Sequence, residues 1–219
     1  MGLLVRRERW GLSGSGSVLT VLTFMVAGCV IVWEIQPFLV VTHRVPTKVL
    51  VVEGWIHDYG LNAAVKEFET GRYSQIYTTG GPVEGIGPTS SIYDTNAHRS
   101  AGLLQQAGIP AAEIQSVPAC YLGRDRTYTS AVVLRDWLRD HNLHVDSINV
   151  LTEDAHARRT WLLFQEALGS NIKVGIIAVP NPDYDASRWW RYSEGVREVV
   201  DESVAYLYAK FLFWPSSPP

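Results

Sequence analysis

Cysteine is nearly absent, with only Cys29 and Cys120 in 219 residues. Cys29 lies inside a long apolar run, so no disulfide framework follows, and neither position has metal-ligand spacing. Excess basic charge is missing too: the net charge is −3, which removes any whole-molecule argument for nucleic-acid binding. No H-E-x-x-H, no G-x-S-x-G, no full G-x-G-x-x-G and no Walker A loop occurs. Zinc-protease, nucleophile-elbow, dinucleotide and P-loop chemistries therefore lack an anchoring motif. Internal repeats and low-complexity tracts are absent as well.

What is present is ordinary for one globular domain with an apolar appendage: 47% hydrophobic and 19% charged residues. Eight tryptophans and ten tyrosines are many for this length. Several lie near the C-terminus, where a membrane surface or a partner could use them.

The appendage is N-terminal. Residues 18–33, VLTVLTFMVAGCVIVW, carry no charge, and flanking residues extend the run toward the ~20 that a bilayer needs. Arg6, Arg7 and Arg9 precede it, so the positive-inside rule keeps the N-terminus cytoplasmic and sends the rest across. A retained signal anchor is the favoured reading. A cleaved signal peptide and a lipoprotein signal ending at Cys29 are the alternatives, although no A-x-A site closes the run and VIVWEI continues apolar after the cysteine. Residues 1–43 are thus read as cytoplasmic stub, anchor and linker, and 44–219 as the domain.

Within the domain, apolar bursts alternate with helical patterns. VLVVE (49–53), QIYTT (75–79), EIQSV (113–117), INVLT (148–152) and KVGIIAV (173–179) suit strands buried on both faces. Between and after them, 61–70, 96–107, 129–141, 157–168 and 193–213 read as helices, with Asp94 or Thr95 as an N-cap and Gly108 as a C-cap. The alternation predicts an α/β three-layer sandwich with a mostly parallel sheet of about five strands.

Such sheets bind ligands at the carboxyl ends of their strands. That edge collects Glu53, Gly54, Trp55, His57 and Asp58; Thr79, Gly80 and Gly81; Arg124, Asp125, Arg126, Thr127 and Thr129; Glu153, Asp154, His156, Arg158 and Arg159; and Asn181, Asp183, Tyr184 and Asp185. Helix N-termini present free N–H groups there, and arginine adds a bidentate fork for phosphate or carboxylate. Arg126 and Arg159 oppose the usual dipole preference for acids in a first turn, a penalty that a bound anion would reverse. Each signal has a plainer alternative. TTGG is also a tight turn, His156 also a capping histidine, Arg158 also a surface partner of Glu153 or Asp154, and WWRY (189–192) also packing.

The order of motifs resembles the ElyC/SanA/YdcF family: a strand ending in a glycine turn, TTGG, AGIP (107–110), RDRTYTSA and LTEDAHARR, with the H-x-x-R spacing of His156 and Arg159. The resemblance covers about residues 49–179. It implies a Rossmann-like fold, an envelope location behind an N-terminal anchor, and a link to peptidoglycan synthesis and its polyprenyl-phosphate carrier. One cytoplasmic branch is associated with S-adenosylmethionine. This chain departs from the pattern at Glu53, Asn96 and Ser130, so that cofactor is the weakest implication.

The expectation is a membrane-anchored envelope protein whose pocket takes an anionic small molecule or a lipid-linked phosphate, with no nucleic acid and no metal. Gly54, Gly80, Gly81, Arg126, Thr127, Thr129 and Arg159 are the expected ligand-binding residues. His156 is the expected acid/base, oriented by Glu53 or Asp58. No cofactor is named. A non-catalytic scaffold module using the same pocket is the competing expectation.

Overall fold

The structure is a computed structural model and describes residues 12–83, 95–119 and 125–215. The expectations resting on Arg6, Arg7, Arg9, Asp94, Cys120, Arg124 and most of the glycine loop after Gly81 lie outside the described residues.

Five parallel strands form one sheet: β1 (Val49–Glu53), β2 (Gln75–Gly80), β3 (Ile114–Pro118), β4 (Ser147–Glu153) and β5 (Lys173–Val179), in the order β3-β2-β1-β4-β5. Side chains alternate across it with period two. Leu50 and Val52 enter one core with Leu61 and Ala64 of α2 (Asp58–Glu69) and Ala101 and Leu104 of α3 (Asn96–Gln106). Val51 enters the other, with Leu134 and Leu138 of α4 (Arg126–Asp140) and Phe164 and Leu168 of α5 (Ala157–Leu168). The three-layer α/β, Rossmann-like arrangement follows, because each β-branched run is covered on both faces.

The helix over Gly14–Leu39 (numbered α1 in chain order) starts at Ser13, whose hydroxyl accepts from the Gly16 amide at 3.1 Å. It is long and apolar enough to cross a membrane, and none of its most apolar 18-residue window is buried. Inside it, the Thr20 and Thr23 hydroxyls donate to carbonyls four residues back at 2.9 Å, so neither is left unpaired. Its last turn belongs to the domain: Gln36 and Leu39 are buried.

The linker after α1 is also built in. His43 exchanges two backbone hydrogen bonds with Ile176, each 2.8 Å, and so covers the open edge of β5. The buried Asn149 amide accepts from Val45 N–H and donates to Val45 C=O, both at 2.9 Å. A side chain at residue 175 would meet the Asn149 amide oxygen at 2.0 Å, which is why β5 carries Gly175 under this strap.

The final helix, α6 (Ser193–Phe211), does not flank the sheet. It packs across the carboxyl edge against α5 and the end of α1. Val199 meets Leu39, Ala155, Tyr184 and Trp189 in a small third core.

Observed elements match the expected ones closely, with two shifts of note: α2 starts at Asp58, three residues before the expected Leu61. The fourth helix starts at Arg126, three residues before its apolar periodicity begins. Its N-cap Asp125 is left-handed, at φ 61°.

Candidate functional site

Strand order reverses between β1 and β4, and the crevice between their carboxyl ends opens into a cleft of about 1080 Å³. Gly80 and Gly81 at the end of β2, Asn96 at the start of α3, and Arg126, Thr127 and Ser130 at the start of α4 line the β2/β3 side. Glu153 at the end of β4, Asn181 after β5, and Glu194, Arg197, Glu198, Asp201 and Glu202 of α6 line the other. Glu53, Trp55, His57, His156 and Arg159 stand between.

Glycine is required at two points of this edge. Gly80 has φ 143°, a region that side-chain-bearing residues avoid. At Gly54, a Cβ would lie 2.4 Å from the Asn96 carbonyl oxygen and 2.6 Å from that of Thr79. Gly54 therefore lets α3 close on the sheet; it supports the cleft from behind and does not line it.

His156 sits at the junction of β4 and α5, and Glu202 reaches it from α6. His156 Nδ1 is 2.8 Å from Glu202 Oε1. Nδ1 also lies 2.9 Å from Arg159 Nη2, so a carboxylate that accepts and a guanidinium that donates converge on the same ring nitrogen. Nε2 is buried without a hydrogen-bond partner, 3.7 Å from Glu53 Oε2. Glu53 in turn accepts from the Thr160 hydroxyl at 3.0 Å, and Trp55 stands edge-on to the imidazole at 4.7 Å between ring centres. The imidazole is thus fixed in orientation, with Nδ1 held between Glu202 and Arg159 and Nε2 left without a hydrogen-bond partner.

Arg159 is not an open anion fork. Its Nε and Nη2 close on the two oxygens of Glu202, each at 2.8 Å. Burial by itself would raise the Glu202 carboxyl, but the Arg159 guanidinium and then His156 hold it well below the carboxylate range.

The wider electrostatics run against a purely anionic ligand. Among the described lining residues, Glu53, Asp125, Glu153, Glu194, Glu198, Asp201 and Glu202 face only Arg126, Arg159 and Arg197 as permanent cations. His57 compensates in part: its Nδ1 lies 2.9 Å from Glu153 Oε2, and this hydrogen bond raises its pKa. Burial, opposed by an Asn181 amide donating at 2.8 Å and reinforced by the charges of Asp154 and Glu153, pushes Glu198 up to about 7.

Asp154 fixes the floor behind this wall. It is 1% exposed with φ 31°, and accepts from Asn181 N–H at 2.7 Å and from the Gln36 amide of α1 at 3.3 Å. Burial raises its pKa. The membrane-type helix thus touches the residue that aims the Asn181 and Glu198 wall.

Several expected site residues stand together: Glu53, Gly80, Gly81, Arg126, Thr127, His156 and Arg159 all line the cleft. Two others do not. Asp58 is the first residue of α2, with its side chain 86% exposed and 3.6 Å from Arg99, so it cannot orient His156. Thr129 is on α4 but off the lining, where its neighbours Thr127 and Ser130 are found instead. Arg158 pairs with neither Glu153 nor Asp154; it bonds the Phe38 carbonyl and lies 4.0 Å over the Phe38 ring.

The acidic face of α6 escaped sequence reasoning. Its signal was available: Glu194, Glu198, Asp201 and Glu202 follow i, i+4, i+7, i+8 spacing and share one helical face. Among the described residues, no group of three or more acidic, histidine or cysteine side chains has the geometry of a metal site. The chain matches no protein-family model and no curated protein.

Proposed function

We propose that this chain is a membrane-anchored envelope protein, of the kind the ElyC/SanA/YdcF resemblance implies, acting on a phosphorylated, lipid-linked glycan precursor. The observation that carries the reading is the two-sided chemistry of the cleft. The β2/β3 side offers donors: Arg126, the first turns of α3 and α4, and the buried Thr79 hydroxyl, which has no hydrogen-bond partner. Such a corner suits phosphate oxygens. The α6 side offers acceptors in Glu153, Glu198, Asp201 and Asn181, which suit the hydroxyls of a sugar. Exposed Trp55 supplies an apolar face between them.

His156 Nε2 takes the proton from the attacking water or acceptor hydroxyl as its oxygen bonds to phosphorus. The P–O bond of the diphosphate bridge breaks on the opposite side, the other phosphate leaves as the anion, and the proton passes from His156 to that phosphate or to water. Glu202 holds the imidazole in orientation, and the imidazolium formed is balanced by Glu202 and Glu53. The orienting residue is therefore Glu202, with Glu53 as the second carboxylate. With positive charge at the N-terminal end of α1, the domain lies outside the cytoplasm, where such precursors are consumed.

The test uses the full chain in lipid nanodiscs with a polyprenyl-diphosphate-linked disaccharide as probe. Arg126→Ala weakens binding, while His156→Ala preserves binding and removes turnover. Binding unchanged in Arg126→Ala refutes the phosphate corner. Absence of turnover in the wild type, with binding intact, favours the scaffold reading.

A further inference from the structure

The bilayer boundary can be located on α1 itself. The domain takes hold at Val32, whose carbonyl accepts from Trp189 Nε1 at 3.0 Å, and at Trp33, whose ring lies 5.4 Å from that of Trp190. The stretch from Gly14 to Ile31 is about 18 residues, or about 27 Å at helical rise, close to the ~30 Å of a hydrocarbon core. The boundary on the domain's side therefore falls at Trp33 and at the 3₁₀ segment Ala186–Arg191 beside it. That segment and the residue after it expose Trp190, Tyr192, Arg188 and Arg191, an interfacial composition of amphipathic rings and long cations.

α6 continues from this level at a shallow angle. Trp190, two residues before Tyr192, meets Trp33, and Tyr206 meets Phe38; between Tyr192 and Tyr206 the chain advances about 21 Å, while these contacts climb α1 by only about 7.5 Å. The Phe38 and Tyr206 rings mark the far contact, at 5.4 Å. A helix that advances nearly three times as far as it climbs lies closer to the bilayer plane than to its normal. Its outer face carries Val196, Val200, Val204, Leu207 and Phe211, between 39% and 73% exposed. Their i, i+4, i+8, i+11, i+15 spacing makes one continuous stripe. Glu198 and Glu202 leave the same helix toward the cleft.

We infer that the Ala186–Arg191 segment and α6 form a seat in the headgroup layer of the bilayer that α1 crosses, with the valine-leucine-phenylalanine stripe immersed. The occupant is lipid because the stripe is continuous, through Trp190 and Trp33, with the helix that enters the bilayer. Glu194 and Arg197, on the cleft lining at the start of α6, then stand at headgroup height, and the cleft opens into the layer where a lipid-linked ligand carries its polar head. The inference deepens the proposed function but rests only on its membrane-crossing reading of α1, not on the ligand.

The experiment places a nitroxide at Val200→Cys, Leu207→Cys or Trp190→Cys, in a Cys29→Ser, Cys120→Ser background of the full chain. His144→Cys, exposed at the opposite, amino edge of the sheet, is the control. Each nanodisc of phosphatidylcholine and phosphatidylglycerol holds one copy, so protection cannot come from a second chain. Spin-label collision rates with oxygen and with a water-soluble nickel chelate report depth. The expected result is a several-fold higher oxygen-to-nickel ratio at 190, 200 and 207 than at 144. Equal ratios overturn the seat, whatever the turnover assay finds. Three independent label sites keep the outcome decisive if one variant fails to fold.

Discussion

Replacing Glu202 by glutamine should be the most informative single change, because it uncouples two site residues at once. Glu202 holds Arg159 through two 2.8 Å hydrogen bonds and His156 through a third. Side-chain exposure is 14% for Glu202 and 19% for Arg159, so the guanidinium left behind is largely desolvated. Removing one partner of a buried pair costs about 3–5 kcal/mol, and glutamine keeps the shape and some hydrogen bonding, which points to about 3 kcal/mol. At about 2–4 °C per kcal/mol for a chain of this size, the midpoint should fall by about 6–12 °C. The assay is thermal unfolding of the full chain in mild detergent, followed by near-ultraviolet circular dichroism at pH 7. The pH dependence sharpens it. The folded pKa of Glu202 lies below its unfolded value of about 4.5, so its contribution is complete above that pH and is lost as pH falls. The gap between wild type and E202Q should hold from pH 8 to 6 and narrow below about 4.5. Adding Arg159→Met to E202Q should recover part of the loss, since no buried charge remains unpaired. A Tm unchanged within about 1 °C at pH 7, or a gap that does not shrink progressively as pH falls from about 4.5 toward about 2, would refute the coupling.

Two further outcomes follow from the same geometry. Glu198→Gln should flatten the pH dependence of stability: a carboxyl raised to about 7 makes the native state lose stability as pH climbs from about 4.5 to 7, on the order of 1–2 kcal/mol. An identical pH slope in the variant would contradict this. Gly54→Ala should destabilise by about 3 kcal/mol, because its Cβ would sit 2.4 Å from the Asn96 carbonyl oxygen and force α3 off the sheet. A thermal midpoint equal to wild type would show that α3 yields freely.

The strands were the most legible part of the chain, since VLVVE and KVGIIAV are short, β-branched and bounded by turn residues. The start of α4 was less so: its first turn, Arg126 to Tyr128, lies on the cleft edge and lacks the apolar period that marks a helix from sequence. Asp58 was misassigned because chain order puts it beside His57, whereas a helix beginning at Asp58 turns its side chain outward. Glu202 was legible as part of an acidic helical face but not as the partner of Arg159, because 43 residues separate the two and nothing local links them.

Composition and periodicity by themselves determined the apolar helix, the alternation of strands and helices, and the edge on which polar groups gather. These depend on local burial patterns, which repeat at 2 or 3.6 residues and can be counted. Which charges neutralise one another was decided only by tertiary structure. The acidic face of α6 crosses the carboxyl edge because Val199, Tyr184 and Trp189 pack on the last turn of α1. That packing brings Glu202 to His156 and Arg159, turning an expected open anion fork into a closed ion pair beside an oriented histidine. Electrostatic partnership is a matter of distance in space, and the sequence carries no record of it until the helix that supplies the carboxylate has been placed.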